Sequence, residues 1–435
     1  MNPKKCPFLA AKPQIFGFLV EPYRPFFALA IFYNLSVMGL WFIWLHGLAM
    51  GKIFLSFRIS PLASHFHWMV FGFSSFYLFG FLLTAFPKWV NAPQSKGSYN
   101  ACLALALFSS QSLALVGTLV SVFLLKLALA FEFFLMIFLT ARLFKIYFQQ
   151  KQRKVFDQSS MVLFALSFGI LAQLFFQLSV WGASSSYFSF YSFSLYLAQF
   201  PFLLFLMLAV SYRILPFFTS NLPPQTEVQR GRWSLHGMLL LIFALGLLEF
   251  LPFLKSLVWL KGFVFLAMAL LFLKELHIWQ WKKSFSHFLL LSHYVAFLWA
   301  VLFLLFRSTQ AFFPLLFQDY GMSLAIQHLF FLGSFSTLIW GISTRVTRGH
   351  GGLGFQLGFI DYFIFILLQL AVVLRVLLPF LEIKWDFLKG QSVHAAFLWW
   401  LAFFLWGIRY LPVLAGGAKK NTEKIIPQSI QAGAR

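Results

Sequence analysis

The chain has 435 residues, of which 61% are hydrophobic and only 10% are Asp, Glu, Lys or Arg, where soluble domains carry roughly 25% charge. With a mean hydropathy of +0.83, this excludes a soluble globular protein and points to an all-α, polytopic membrane bundle. A net charge of +22 would suggest a nucleic-acid partner in a soluble chain, but here the basic residues fall mainly in short loops between apolar runs and report topology. Cys6 and Cys102 are the two cysteines, too few for a disulfide framework or a Cys-ligated iron–sulfur cluster.

In chain order, Met1 to Lys12 has no uninterrupted apolar core and no evident cleavage site, so no removable signal peptide is expected. Apolar windows of about 20 residues predict about twelve helices, over 25–47, 65–87, 101–121, 123–146, 159–181, 192–217, 233–252, 256–276, 288–306, 322–344, 358–380 and 392–413. The third and fourth, and the seventh and eighth, are divided only by tight hairpins near Lys126 and near Pro252 and Lys255. Alternate connections collect the cations: Lys4, Lys5 and Lys12, then Lys88 and Lys96, Arg142 to Lys154, Arg230 and Arg232, Lys274 to Lys283, Arg345 and Arg348, and Lys419 to Lys424. Lys52, Arg58, Lys255, Lys261, Lys384 and Lys389 are spread thinly on the other side, and Gly182 to Tyr191 carries no charge. The positive-inside rule then puts both termini in the cytoplasm. Residues 1–415 read as a single transmembrane domain and 416–435 as a short polar cytoplasmic tail. No internal repeat is evident; Gly333, Thr337 and Gly341, at i, i+4 and i+8, suit close helix packing.

This topology sorts the histidines by depth. His65 and His67 open the second helix at its outer end, His394 opens the twelfth, and His328 lies about six residues into the tenth. If those helices are neighbours, four imidazoles converge at one level, with His46 nearby at the end of the first helix. Polar side chains inside spans usually line a cavity, a proton path or a ligand, so metal or haem ligation is the leading reading, against hydrogen bonding or proton relay. Positions 65 and 67 are about 200° apart on a helix, so both cannot hold one ion unless the first turn is unwound. His65 and Met69 are i and i+4 and share a face; a nitrogen and a thioether there suit a soft metal or a haem axial ligand, or Met69 is simply core.

A second polar cluster lies at the opposite end: Glu21 and Arg24 before the first helix, Arg213 near the end of the sixth, His293 inside the ninth, and Arg345, Arg348 and His350 after the tenth. Fixed cations there can clamp a haem propionate or a lipid phosphate; for Arg348 a plain basic rim is the simpler reading. Glu132, alone in the fourth helix, is expected to be structurally paired rather than a proton donor. No phosphate-binding glycine loop, Ser-His-Asp arrangement or nucleotide site is present.

Several stretches together resemble the NnrS family: Tyr23 to Phe27, His65-Phe66-His67 with Phe71-Gly72, Gly80 to Trp89, Tyr212 to Thr219, His293, Gln327-His328 with Gly333 to Thr337, Arg345 to His350, and Arg409 to Pro412. They follow family order across almost the whole chain. The resemblance implies a bacterial inner-membrane protein containing haem and copper and linked to nitric oxide metabolism and nitrosative stress tolerance. It carries His65, His67, His328 and His350 over as motif histidines; His394 and Met69 are metal candidates from depth and spacing, and Arg24, Arg213, His293 and Arg345 are candidates for holding the cofactor. Where the family usually has a glutamate after the paired histidines, this chain has Trp68, so no role of that carboxylate carries over. The partners implied are the lipid bilayer and nitric oxide or a related small molecule. Turnover of nitric oxide would also need an electron donor and a proton path, neither legible in the sequence.

Three alternatives remain, one of them a purely structural assembly factor, in which His65 and His328 would be replaceable without metal loss. A twelve-helix secondary transporter would place its site near the midplane, whereas these histidines gather towards one surface. A haem-copper oxidase-like subunit would carry adjacent histidines, and no His-His occurs.

Overall fold

The computed structural model describes residues 17–416 apart from 95–96, 150–156, 183, 224, 226, 232, 252–253, 255–256, 386–387 and 389. Pro252, Lys255, Lys389, Cys6, the basic residues before Gly17 and the tail beyond Gly416 therefore lie outside the described residues.

All regular structure in the described residues is helical. Among the described residues, ten helices are long and apolar enough to cross a membrane: α1 Tyr23–Ala49, α2 Pro61–Trp89, α3 Gly97–Val120, α4 Val122–Phe148, α5 Gln158–Trp181, α6 Phe190–Ser220, α9 Phe288–Phe312, α10 Tyr320–His350, α11 Phe359–Glu382 and α12 Val393–Gly416. Between α6 and α9 lie α7, Ser234–Phe250, which is apolar but shorter, and α8, Val258–Ile278, which carries Lys261, Lys274 and Glu275. Each expected helix is matched by one of these. The largest differences are at the ends of α9, which runs on to Phe312, and of α10, where Arg345, Arg348 and His350 belong to the helix rather than following it. Hydropathy misses that last stretch because its polar residues pair with neighbouring elements instead of facing lipid.

Successive helices run up and down, giving the bundle two ends, named here after His65 and Asp361. The hairpin between α3 and α4 turns on Ser121, whose hydroxyl accepts from the Leu124 N–H (3.5 Å). Its tightness depends on Gly117, where an added Cβ would lie 2.5 Å from the Leu125 nitrogen and 2.6 Å from its Cα. Backbone cannot yield as a side-chain tip does, so Gly117→Ala is expected to destabilise the protein by about 1–3 kcal/mol, read as a lowered thermal unfolding midpoint in detergent.

The sequence shows no repeat, yet one is present in the backbone. In α2, α6 and α10, four helices apart each time, the helix widens to π geometry over Trp68–Phe73, Ala198–Leu204 and Leu329–Ser336. The residues in the three stretches are unlike, which hides the correspondence. In α6 the wide turn accommodates Pro201, which has no N–H to give an ordinary helical turn. In α2 and α10 a serine at or just beyond the stretch donates to the carbonyl five residues back, Ser74 to Met69 O (2.9 Å) and Ser336 to Phe331 O (3.2 Å).

These three helices also meet one another at the centre. His65 of α2 faces His328 of α10, the Phe66 ring of α2 meets Tyr191 of α6, and Ser334 of α10 donates to the Met207 sulfur of α6 (3.1 Å). The outer helices close around them, α12 on α1, α4 on α5 and α8 on α9. Among the described residues, the three helices with widened turns thus form the centre of the bundle.

Candidate functional site

A cavity of about 230 Å³ opens at the His65 end between α1, α2, α6, α10, α11 and α12. Its histidine side is built from α2 and α10. The first turns of α2, started by Pro61 at the position where a missing N–H costs nothing, bring His65 against Trp41 of α1, ring on ring at 4.1 Å and 16°. Trp41 in turn stacks on Trp44 at 4.6 Å. Across the cavity His328 stands with its ring centroid 6.5 Å from that of His65 and its plane 18° away.

The orientation of His328 is fixed: its Nδ1–H donates to the Leu324 carbonyl at 2.7 Å, leaving Nε2 as the nitrogen with a lone pair. A backbone partner of this kind is what sets the tautomer of metal-ligating histidines. His65 keeps Nδ1 buried without a partner. Met69, one turn beyond His65, lines the same cavity, as the i, i+4 spacing requires. An ion about 2 Å from one nitrogen of each ring would hold the ring centroids roughly 6 Å apart, close to what is seen. Two imidazoles and a thioether therefore fit a soft ion such as copper(I). No group of three or more His, Cys, Asp and Glu side chains gathers closely enough to hold an ion among the described residues.

His67 goes elsewhere. Two positions on, it emerges on the far side of α2, where its Nε2 lies 2.8 Å from Glu132 Oε2, both side chains enclosed, with the ring stacked on Phe176 at 5.2 Å. The paired histidines thus serve two places, and Glu132 has the structural partner expected for an intramembrane carboxylate. His394 is exposed, its Nδ1–H donating to Gln391 O at 3.0 Å; α12 reaches the cavity through Ser392, Ala395 and Trp399 instead. His46 is also exposed and stacks on Phe42 and Phe54. Of the four histidines expected at one level, two meet.

The remaining candidates are at the Asp361 end. His350 lies 3.4 Å from Glu21 and packs with its ring tilted 58° against that of Tyr23; its contact with Glu21, which precedes α1, holds that carboxyl below its ordinary value. Arg24 donates to the Val413 and Leu414 carbonyls at the end of α12 (3.1 and 3.5 Å). Arg213 lies over the Trp89 ring, and Arg345 is held between the rings of Phe218 (3.2 Å) and Phe355 (4.6 Å). His293 donates through Nδ1–H to Leu289 O at 2.7 Å and keeps Nε2 buried without a partner. It packs so closely on α10 that a Cβ at Gly341 would lie 3.0 Å from its Cε1. These cations are engaged and His293 is closely packed.

Sequence reading missed Arg375. It sits within the apolar run of α11 and lines the cavity beside the histidines; an arginine inside a predicted span was the available signal. It also took Arg348 for rim, whereas Arg348 is buried, 6% exposed.

The sequence profile of the family described as NnrS protein matches residues 17–417, nearly the whole chain. The chain belongs to the NnrS family. A search of curated proteins gives no match. NnrS membership and the ten apolar helices make this a polytopic membrane protein of a nitric oxide-related family. The NnrS match spans both ends of the bundle, the cavity with His65 and His328 and the cluster around His350.

Proposed function

We propose that the protein is a haem- and copper-binding protein of the bacterial inner membrane, with twelve spans and both termini cytoplasmic, acting in nitric oxide metabolism or nitrosative stress tolerance. The observation that carries this reading is the facing pair His65 and His328, 6.5 Å apart in one cavity with the Met69 thioether. The charge distribution of the sequence supports this orientation, in which the cavity faces the periplasm. In this reading a small uncharged molecule arriving from outside or from the lipid meets the cavity first.

When bound, haem iron and copper would supply sites that hold nitric oxide and exchange electrons with it. The chain's own residues have the other tasks. Leu324 keeps the His328 ring turned so that Nε2 faces away from its own helix, the Trp41 and Trp44 stack fixes the plane of His65, and the apolar lining restricts water. Met69 biases the site towards the reduced, softer form of copper.

The test is metal content and the visible spectrum of the purified protein, oxidised and reduced, for wild type, His65→Ala, His328→Ala and His394→Ala. Wild type is expected to carry both groups. His65→Ala and His328→Ala are each expected to lose copper or the haem band by at least about tenfold, while His394→Ala keeps both. Full retention in both cavity variants would remove the ligands from this cavity. Wild-type protein with neither group would favour the transporter reading.

A further inference from the structure

Arg375 and Gln327 line the cavity without a described task. Neither makes a hydrogen bond or an ion pair among the described residues, although both are polar groups held in the membrane-spanning part of the bundle. The carboxylate that acts on Arg375 through space is Glu382, seven residues along the same helix, a rise of about 10 Å. Arg375 lines the same cavity as both His65 and His328. A guanidinium left like this in an apolar bundle is costly, and it opposes any second positive charge placed between the two imidazoles.

We infer that the cavity binds a two-oxygen anion of the carboxylate class, clamped by the Arg375 guanidinium with the Gln327 amide as a second donor. Chemistry narrows the choice. The planar fork of arginine matches two oxygens on one carbon or nitrogen, and an amide N–H₂ adds a donor where a second cation would repel. The anion neutralises Arg375 and so permits a cation to be held beside it. Such an anion has two sources, a carboxylate carried by a bound macrocycle or a free small oxyanion such as nitrite. The proposal shares its cavity with the metal reading and does not need a metal: it is read by anion binding, whereas the metal reading is read by metal content.

The full-length protein in detergent is titrated with sodium formate, against sodium chloride at equal ionic strength, and thermal unfolding is followed. A ligand that binds the folded state raises the midpoint saturably. Wild type is expected to show this with formate and not with chloride. Arg375→Gln is expected to abolish it, and Gln327→Leu to weaken formate at least tenfold. Arg375→Lys, which keeps the charge in case the glutamine variant folds poorly, is expected to retain weaker binding. A second arm compares the binding of haem with that of its dimethyl ester. Poor binding of the ester, with formate excluded once haem is bound, assigns the anion to the macrocycle. Equal binding of haem and ester, with formate still accepted, assigns it to a free oxyanion. Formate stabilisation unchanged in Arg375→Gln, or absent in wild type while the ester binds as well as haem, would overturn the proposal.

Discussion

Asp361→Ala is expected to lower the stability of the folded bundle by about 3–5 kcal/mol, the usual cost of removing one partner from a buried ionic network. The carboxylate is fully buried at the start of α11 and ties four pieces of chain together. Arg409 of α12 donates to both of its oxygens (2.6 and 2.9 Å), Tyr410 donates to Oδ1 (2.7 Å), Arg348 of α10 donates to Oδ2 (3.4 Å), and the Gly358 N–H donates to Oδ2 (2.9 Å), capping α11. Arg348 also grips the intervening loop, donating to Gly354 O (3.0 Å), Leu353 O (3.2 Å) and Gln356 O. Alanine leaves Arg348 buried with its charge uncompensated and the first turn of α11 uncapped. Thermal unfolding in detergent should show a large fall in midpoint, with Asp361→Asn falling less because the amide oxygen still accepts. A midpoint equal to wild type for the alanine variant would mean that the arginines find water and the network holds nothing.

His67→Leu is expected to be as damaging, and for a different reason. It strands Glu132 in the middle of α4 with neither water nor partner; the cost is several kcal/mol. Glu132→Gln keeps a hydrogen bond to the ring (2.8 Å in wild type) and should be mild. The double variant His67→Leu, Glu132→Leu removes both polar groups from an apolar site and should recover most of the stability lost in His67→Leu, because well-packed apolar side chains replace buried pairs at little cost. The coupling read from this cycle is the measurement. Additive effects, with the double variant worse than either single one, would show that the two side chains do not act as a pair.

The helices were legible in the sequence because lipid demands long apolar runs with every backbone group satisfied internally, and such runs are visible residue by residue. Rotation on a helix was legible too: it placed Met69 with His65 and sent His67 away from both. What could not be read was which helix faces which. His394 and His328 share a depth, but the rotation of α12 turns His394 outwards and offers Ala395 and Trp399 to the cavity. Arg375 was overlooked because it lies in a run that otherwise reads as lipid-facing, and Asp361 because its four partners come from two other helices and the loop before α11. Hydropathy shows that a polar residue is inside a span; only packing shows what it meets there.

The widened turns have a consequence for aim. A π stretch holds one residue more than the α-helix it interrupts, so the part of α2 before Trp68 is rotated by about 100° relative to where an unbroken helix would carry it, and the start of α10 is rotated likewise. His65 lies just ahead of one such joint and His328 ahead of the other. Each helix is therefore a shaft in two pieces. The lower piece is keyed to its neighbours by close contacts such as that of Gly80 with Phe26 and Phe27, and the upper piece is set at its own angle by the joint. Shortening a joint by one residue would leave both pieces helical and both imidazoles present, yet swing an imidazole out of the cavity.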